Sequence, residues 1–133
     1  MGYTHYWRND TGYVIDESAF ANFVEEVKQI TATAQEAGID LEESYTPTEI
    51  IINGVGPLSH ETFVFSQTPD EFEFCKTAGK PYDMVVTAIL IHAKKHFKEI
   101  TVKSDGNWND WEGGRFLYES VFNVEPKKEE VFA

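Results

Sequence analysis

The sequence of 133 residues predicts a single α+β domain over 1–133. It should hold a small mixed or mainly antiparallel sheet of about five strands packed with three helices, in the order β-α-β-β-β-α-β-α. Three observations lead there. Two long segments repeat apolar residues at three- and four-residue steps, the spacing of one helix face. Short runs rich in aromatic and β-branched residues lie around them, bounded by turn residues. Finally, 41% hydrophobic and 14% aromatic residues supply one core, whereas a disordered acidic chain would lack the aromatics.

Residues 3–8 form an aromatic-rich strand, closed by the turn cluster Asn9-Asp10-Thr11-Gly12. The clearest helix follows over 17–37. Asp16 or Ser18 caps its start, and Phe20, Phe23, Val24, Val27, Ile30 and Ala34 share a face. Gly38 stands where a left-handed terminating residue belongs. Residues 39–47 read as an acidic connector. The runs 49–53 and 62–66 read as a hairpin across the Gly54–Pro57 loop. Residues 71–76 alternate Glu and Phe, the two-residue period of a half-buried strand. With Phe72 and Phe74 inward, Cys75 would point to the opposite face.

Pro81 suits the first turn of a second helix, which runs to about Phe97. Its first half is apolar all round, as expected of a buried central helix. Residues 99–103 form another strand, left through Ser104-Asp105-Gly106. Asn109 or Asp110 caps a last helix with Trp111, Leu117, Tyr118, Val121 and Phe122 inward. The charged tail from Glu125 is expected to fray.

Lys and Arg number 11 against 23 Asp and Glu, a net charge of −12. Residues 1–66 carry −9 of this and residues 67–133 carry −3. So negative a surface repels nucleic acids and anionic membranes, so no direct nucleic-acid or membrane partner is expected. No apolar run is long enough to span a bilayer. With one cysteine and no leader-like pattern, the expected location is the cytoplasm. Met1-Gly2 begins like a myristoylation signal, but Tyr6 occupies its Ser/Thr position.

Several residue groups carry chemistry. Lys76, Thr77, Gly79 and Lys80 lead into the start of the second helix, where unpaired N–H groups favour an anion such as phosphate. The glycine pattern of a P-loop is absent. His60 beside Glu61 at a loop end has the makings of a general base. His5 alternates with Tyr3 and Trp7 on one strand face, which either stacks a base or packs in the core. Asp105 ends a strand just before Trp108 and Trp111, in a position common in sites and in Asp-Gly turns alike. His92 and His96 have metal-gripping spacing. Lys94, Lys95 and Lys98 oppose a cation there, and no carboxylate within that helix completes the set, so no metal is expected. Cys75 lacks the partners of a nucleophile.

The segments Gly2-Tyr3-Thr4-His5-Tyr6-Trp7, Phe74-Cys75-Lys76-Thr77 with Lys80-Pro81-Tyr82-Asp83, and Ser104-Asp105-Gly106-Asn107-Trp108 with Trp111 resemble a group of short, mostly uncharacterised bacteriophage and bacterial proteins. The resemblance spans nearly the whole chain. It implies a phage setting, hence a host-cell cytoplasm and a role in counter-defence, and supplies no catalytic residue.

Two functions of different classes follow. The first is binding of a phosphate-containing, nucleotide-like small molecule, to sequester a signalling nucleotide or to cleave it. Lys76, Thr77 and Lys80 would hold the phosphate, Trp7, Tyr82 and Trp108 would stack, and His5, His60 and Asp105 would read polar groups. Cleavage would use His60, Glu61 or His5. The second is an acidic inhibitor that mimics nucleic acid and occupies a basic surface of a host protein. Sequence leaves open the cofactor, binding against catalysis, and self-association into a homo-oligomer.

Overall fold

The computed structural model describes residues 3–132, so Met1 and Gly2 of the opening motif lie outside the described residues. Strand β1 (Thr4–Arg8) is the middle of a three-stranded antiparallel sheet, between β5 (Phe72–Lys76) and β6 (Thr101–Ser104). Its alternation sends His5 and Trp7 into the core. At its exit the buried Asn9 amide donates to the carbonyls of Tyr13 (2.7 Å) and Pro69 (3.0 Å), pinning the turn.

Helix α1 (Glu17–Glu36) begins where Asp16 accepts the Ala19 N–H (3.1 Å). The Ser18 hydroxyl and that N–H hold the Asp16 carboxyl below its usual pKa. The helix ends in a Schellman turn. Ile39 N–H reaches the Ala34 carbonyl and Gly38 N–H the Gln35 carbonyl, with Gly38 at φ +96°.

Residues 39–47, expected from their acidity to be a connector, contain a strand. Strand β2 (Glu42–Tyr45) pairs with β3 (Glu49–Asn53), which pairs with β4 (Phe63–Ser66), making a second antiparallel sheet. β2 is short, acidic and on an edge, so its pattern lacks an apolar face. It is fixed from outside: Glu43 accepts from Thr31 (3.0 Å), Gln35 (2.7 Å) and Tyr45 (2.8 Å), tying the strand to α1. The result is six strands in two small sheets rather than about five in one.

Helix α2 (Asp83–His96) buries every residue from Val85 to Ala93. It packs against α1, β6, α3 (Glu112–Phe122) and α4 (Lys128–Val131). Short 3-10 turns at Gly56–Leu58 and Asn109–Trp111 complete the chain. Trp7 of the first sheet meets Phe63 (5.1 Å) and Phe65 (6.2 Å) of the second, and Phe65 meets Phe23 and Phe97. This aromatic seam joins sheets and helices into one core. Part of the charged tail packs back on the domain. Val131 is buried, and the Phe132 ring packs edge-on against Trp108 and Trp111.

The phase of β5 is opposite to the expected one. Cys75 is fully buried, while Phe72 and Phe74 are 52% and 54% exposed. Pairing with β1 decides this. Cys75 lies opposite His5, which faces the core, and Phe74 lies opposite Tyr6, which faces out. Tyr6, Phe72 and Phe74 thereby form a ladder of rings 5.9 Å apart on the outer face. No helix among the described residues is long and apolar enough to cross a membrane.

Candidate functional site

The region before α2 is an internally bonded network. The His5 ring is fully buried, with Nε2 2.6 Å from Asp83 Oδ1 and Nδ1 2.8 Å from Ser104 Oγ. Ser104 Oγ also accepts the Trp111 indole N–H (3.1 Å) and the Gly106 N–H (2.9 Å). Those two donors use both hydroxyl lone pairs, so the Ser104 hydrogen must point at Nδ1. The ring proton then sits on Nε2 and is donated to Asp83. Asp83 accepts a further bond from the Thr77 hydroxyl (2.5 Å).

The order Ser104–His5–Asp83 has the connectivity of a hydrolytic triad. Its chemistry is different, because attack needs a free lone pair on the serine oxygen and Trp111 and Gly106 occupy both. The arrangement locks β1, β6 and the start of α2 together. It also answers the anion expected at this helix start. Asp83, in the first turn, places the chain's own carboxylate against the positive end of the helix. Thr77 is buried under it, and Lys80 closes the preceding turn through its N–H to the Thr77 carbonyl (3.1 Å).

Glu61 organises the neighbouring layer. Its carboxylate accepts the Lys76 N–H (2.8 Å), turned to backbone. Its carbonyl accepts from the Tyr82 hydroxyl (2.6 Å) and the Cys75 thiol (3.4 Å). His60 stays exposed in the loop, where its backbone is held by Asn53. Burial, then the nearby Glu61 charge, pushes the Cys75 thiol up to about 12. Cys75 should therefore resist iodoacetamide at pH 8 in the folded protein and label only after denaturation. Stoichiometric labelling of the native protein within minutes, read by intact mass, would contradict this burial.

The sequence-derived residues thus separate, with His60 left in its exposed loop. His5, Thr77, Tyr82, Glu61 and the Lys76 backbone converge on the α2 start, with Asp83, Ser104 and Trp111 as partners that no local motif marks. Trp7 and Tyr82 lie in the core and offer no free ring face. Asp105 sits on the outer side, where it accepts from the Tyr6 hydroxyl (3.0 Å) and the Thr4 N–H (3.2 Å).

Trp108 lies apart, at a cavity of about 270 Å³ between β6, the 104–108 turn and the C-terminal helix. Lys103, Ser104, Asn107, Trp108, Lys128 and Phe132 border it. The Arg115 guanidinium lies 5.2 Å over the Trp108 ring, and its N–H donates to the Trp108 carbonyl (3.1 Å). Indole and cations thus come from elements separated in sequence. Lys128 was invisible to motif reading because it lies in the charged tail. Comparison of the chain with protein-family models, curated proteins and solved structures finds no match to any of them.

Proposed function

We propose that the protein binds a small phosphate-bearing, nucleotide-like ligand in the cavity bordered by Lys103, Asn107, Trp108 and Lys128. One observation carries this reading. In a chain of net charge −12, two lysines, an amide and an indole gather around one concavity of about 270 Å³. That volume is close to the lower end of small-molecule sites, about 300 Å³. The ammonium groups suit a phosphate, the indole an aromatic base, and the Asn107 amide its polar edge. A local pair of cations can hold an anion despite the repulsive overall field, because that field is screened within about 10 Å at 0.1 M salt.

Binding fits the geometry better than cleavage, since Ser104 is saturated with hydrogen bonds and the Glu61 carboxylate is turned to backbone. A resident of a phage-infected cell with such a site would sequester a signalling nucleotide. Titration calorimetry with mono-, di- and cyclic nucleotides, paired with chromatography of the mixtures, tests this. Heat is expected for at least one nucleotide, with the nucleotide recovered intact. Lys128→Ala and Trp108→Ala should each weaken it about tenfold, the equivalent of about 1.4 kcal/mol. Absence of heat across the panel at millimolar nucleotide would overturn the proposal.

A further inference from the structure

We propose that Glu26, His92 and His96 form a binding site for a divalent transition-metal ion of the zinc class. The three side chains meet at the crossing of α1 and α2, away from the nucleotide cavity. Glu26 Oε1 lies 2.9 Å from His92 Nε2 and 3.4 Å from His96 Nε2, and the three ligand atoms all fall within 4.8 Å of one another. Ligands that hold zinc at tetrahedral angles stand about 3.3–3.6 Å apart. A small rotation of the Glu26 carboxylate therefore makes room for the ion.

The i, i+4 spacing puts both imidazoles on one helix face, 4.4 Å apart. The missing carboxylate comes from the facing helix, 66 positions earlier than His92. The His92 ring is sandwiched between Phe23 (5.5 Å, 16°) and Phe122 (4.4 Å, 9°), which fixes its plane and aims Nε2 at Glu26. Its Nδ1 is buried without a hydrogen-bond partner among the described residues. Nε2 is thus the ring nitrogen aimed at a ligand set.

Two of the three lysines that stood against a cation have partners of their own. Lys94 donates to the carbonyls of Lys98 (2.9 Å) and Ile100 (2.6 Å), and Lys95 lies 5.9 Å from the Tyr118 ring centre. A groove of about 430 Å³ lined by Asn22, Glu25, Glu26 and His96 opens onto the site. It gives an ion entry and leaves coordination positions for water or another oxygen ligand. Two imidazoles and a carboxylate suit Zn²⁺ and Co²⁺ over Mg²⁺ or Ca²⁺, which prefer all-oxygen shells.

The test uses the full chain without an affinity tag, stripped with chelator. Zn²⁺ is titrated by calorimetry, and Co²⁺ is followed by its visible absorption. One ion per chain is expected, with a Co²⁺ band that Zn²⁺ displaces. His96→Ala and Glu26→Gln alter partly exposed groups, so both should keep the parent circular dichroism. Each should weaken Zn²⁺ binding at least about tenfold. Absence of heat and of a Co²⁺ band up to millimolar metal would overturn the proposal. So would parent-like affinity in either variant, which would place the ion elsewhere.

Discussion

His5→Ala is expected to lower the unfolding free energy by about 3–5 kcal/mol, the usual cost of removing one member of a buried polar pair. Three losses combine. Asp83, 16% exposed, loses the Nε2–H at 2.6 Å and keeps only the Thr77 hydroxyl. Ser104 loses the acceptor for its hydrogen, while Trp111 and Gly106 still fill its lone pairs. A void also opens beside the rings of Tyr3 and Trp111, which meet the imidazole edge-on at 4.9 and 5.2 Å. Asp83→Asn is the informative companion. Its amide oxygen still accepts from His5, so it should cost about 1–2 kcal/mol, the difference between a charge-assisted and a neutral bond. Urea titrations of both variants by tryptophan fluorescence measure the two values. A His5→Ala loss under about 1 kcal/mol, below the span of one ordinary hydrogen bond, would show that the network does not hold the fold.

Gly114→Ala should destabilise the protein by about 2 kcal/mol, while Gly113→Ala, one residue earlier, should be neutral or stabilising. Both glycines lie in α3. A methyl at Gly114 would stand 1.9 Å from Thr87 Oγ1, 2.8 Å from Thr87 Cβ and 3.1 Å from the Ala88 nitrogen. Thr87 is fully buried and bonded to the carbonyls of Asp83 and Met84, so it cannot swing away. The helices must separate, at the upper end of the usual overpacking cost of about 3 kcal/mol, less about 1 kcal/mol gained in helix propensity. At Gly113 the new methyl meets Met84 Cβ at 3.3 Å and the mobile Met84 Cε at 3.4 Å, contacts that a shift of a few tenths of an ångström relieves. Thermal unfolding of the pair decides the matter. Equal shifts of the same sign would mean that α3 does not seat on α2 through Gly114.

The elements that local pattern specifies were the ones legible in advance. Asp16, the Phe20-to-Ala34 face and Gly38 carry the whole of α1, including its ends. The apolar stretch after Pro81 marked α2 as central. Expectation and structure part where another segment of the chain decides. The outward turn of Phe72 and Phe74 is set by the register of β5 on β1, and no local count reveals that register. β2 depends on Glu43 reaching α1. The sites divide the same way. His5, Thr77, Glu61 and Tyr82 converge as a cluster, but Asp83 fills the anion position from within. The Glu26 carboxylate reaches the two histidines only through a helix crossing. Lys128 joins Trp108 only because Val131 and Phe132 anchor the tail.

The ladder of Tyr6, Phe72 and Phe74 bears on how molecules of this protein tolerate crowding among themselves. Bare rings on a sheet face adhere to one another. A charge of −12 surrounds them with repulsion that reaches about 10 Å in 0.1 M electrolyte and about 3 Å in 1 M. Dilute buffer keeps neighbours at arm's length and the rings idle. Concentrated sulfate removes that cushion and strengthens apolar adhesion at the same time, so the dispersal of this protein is a property of its ionic surroundings as much as of its surface.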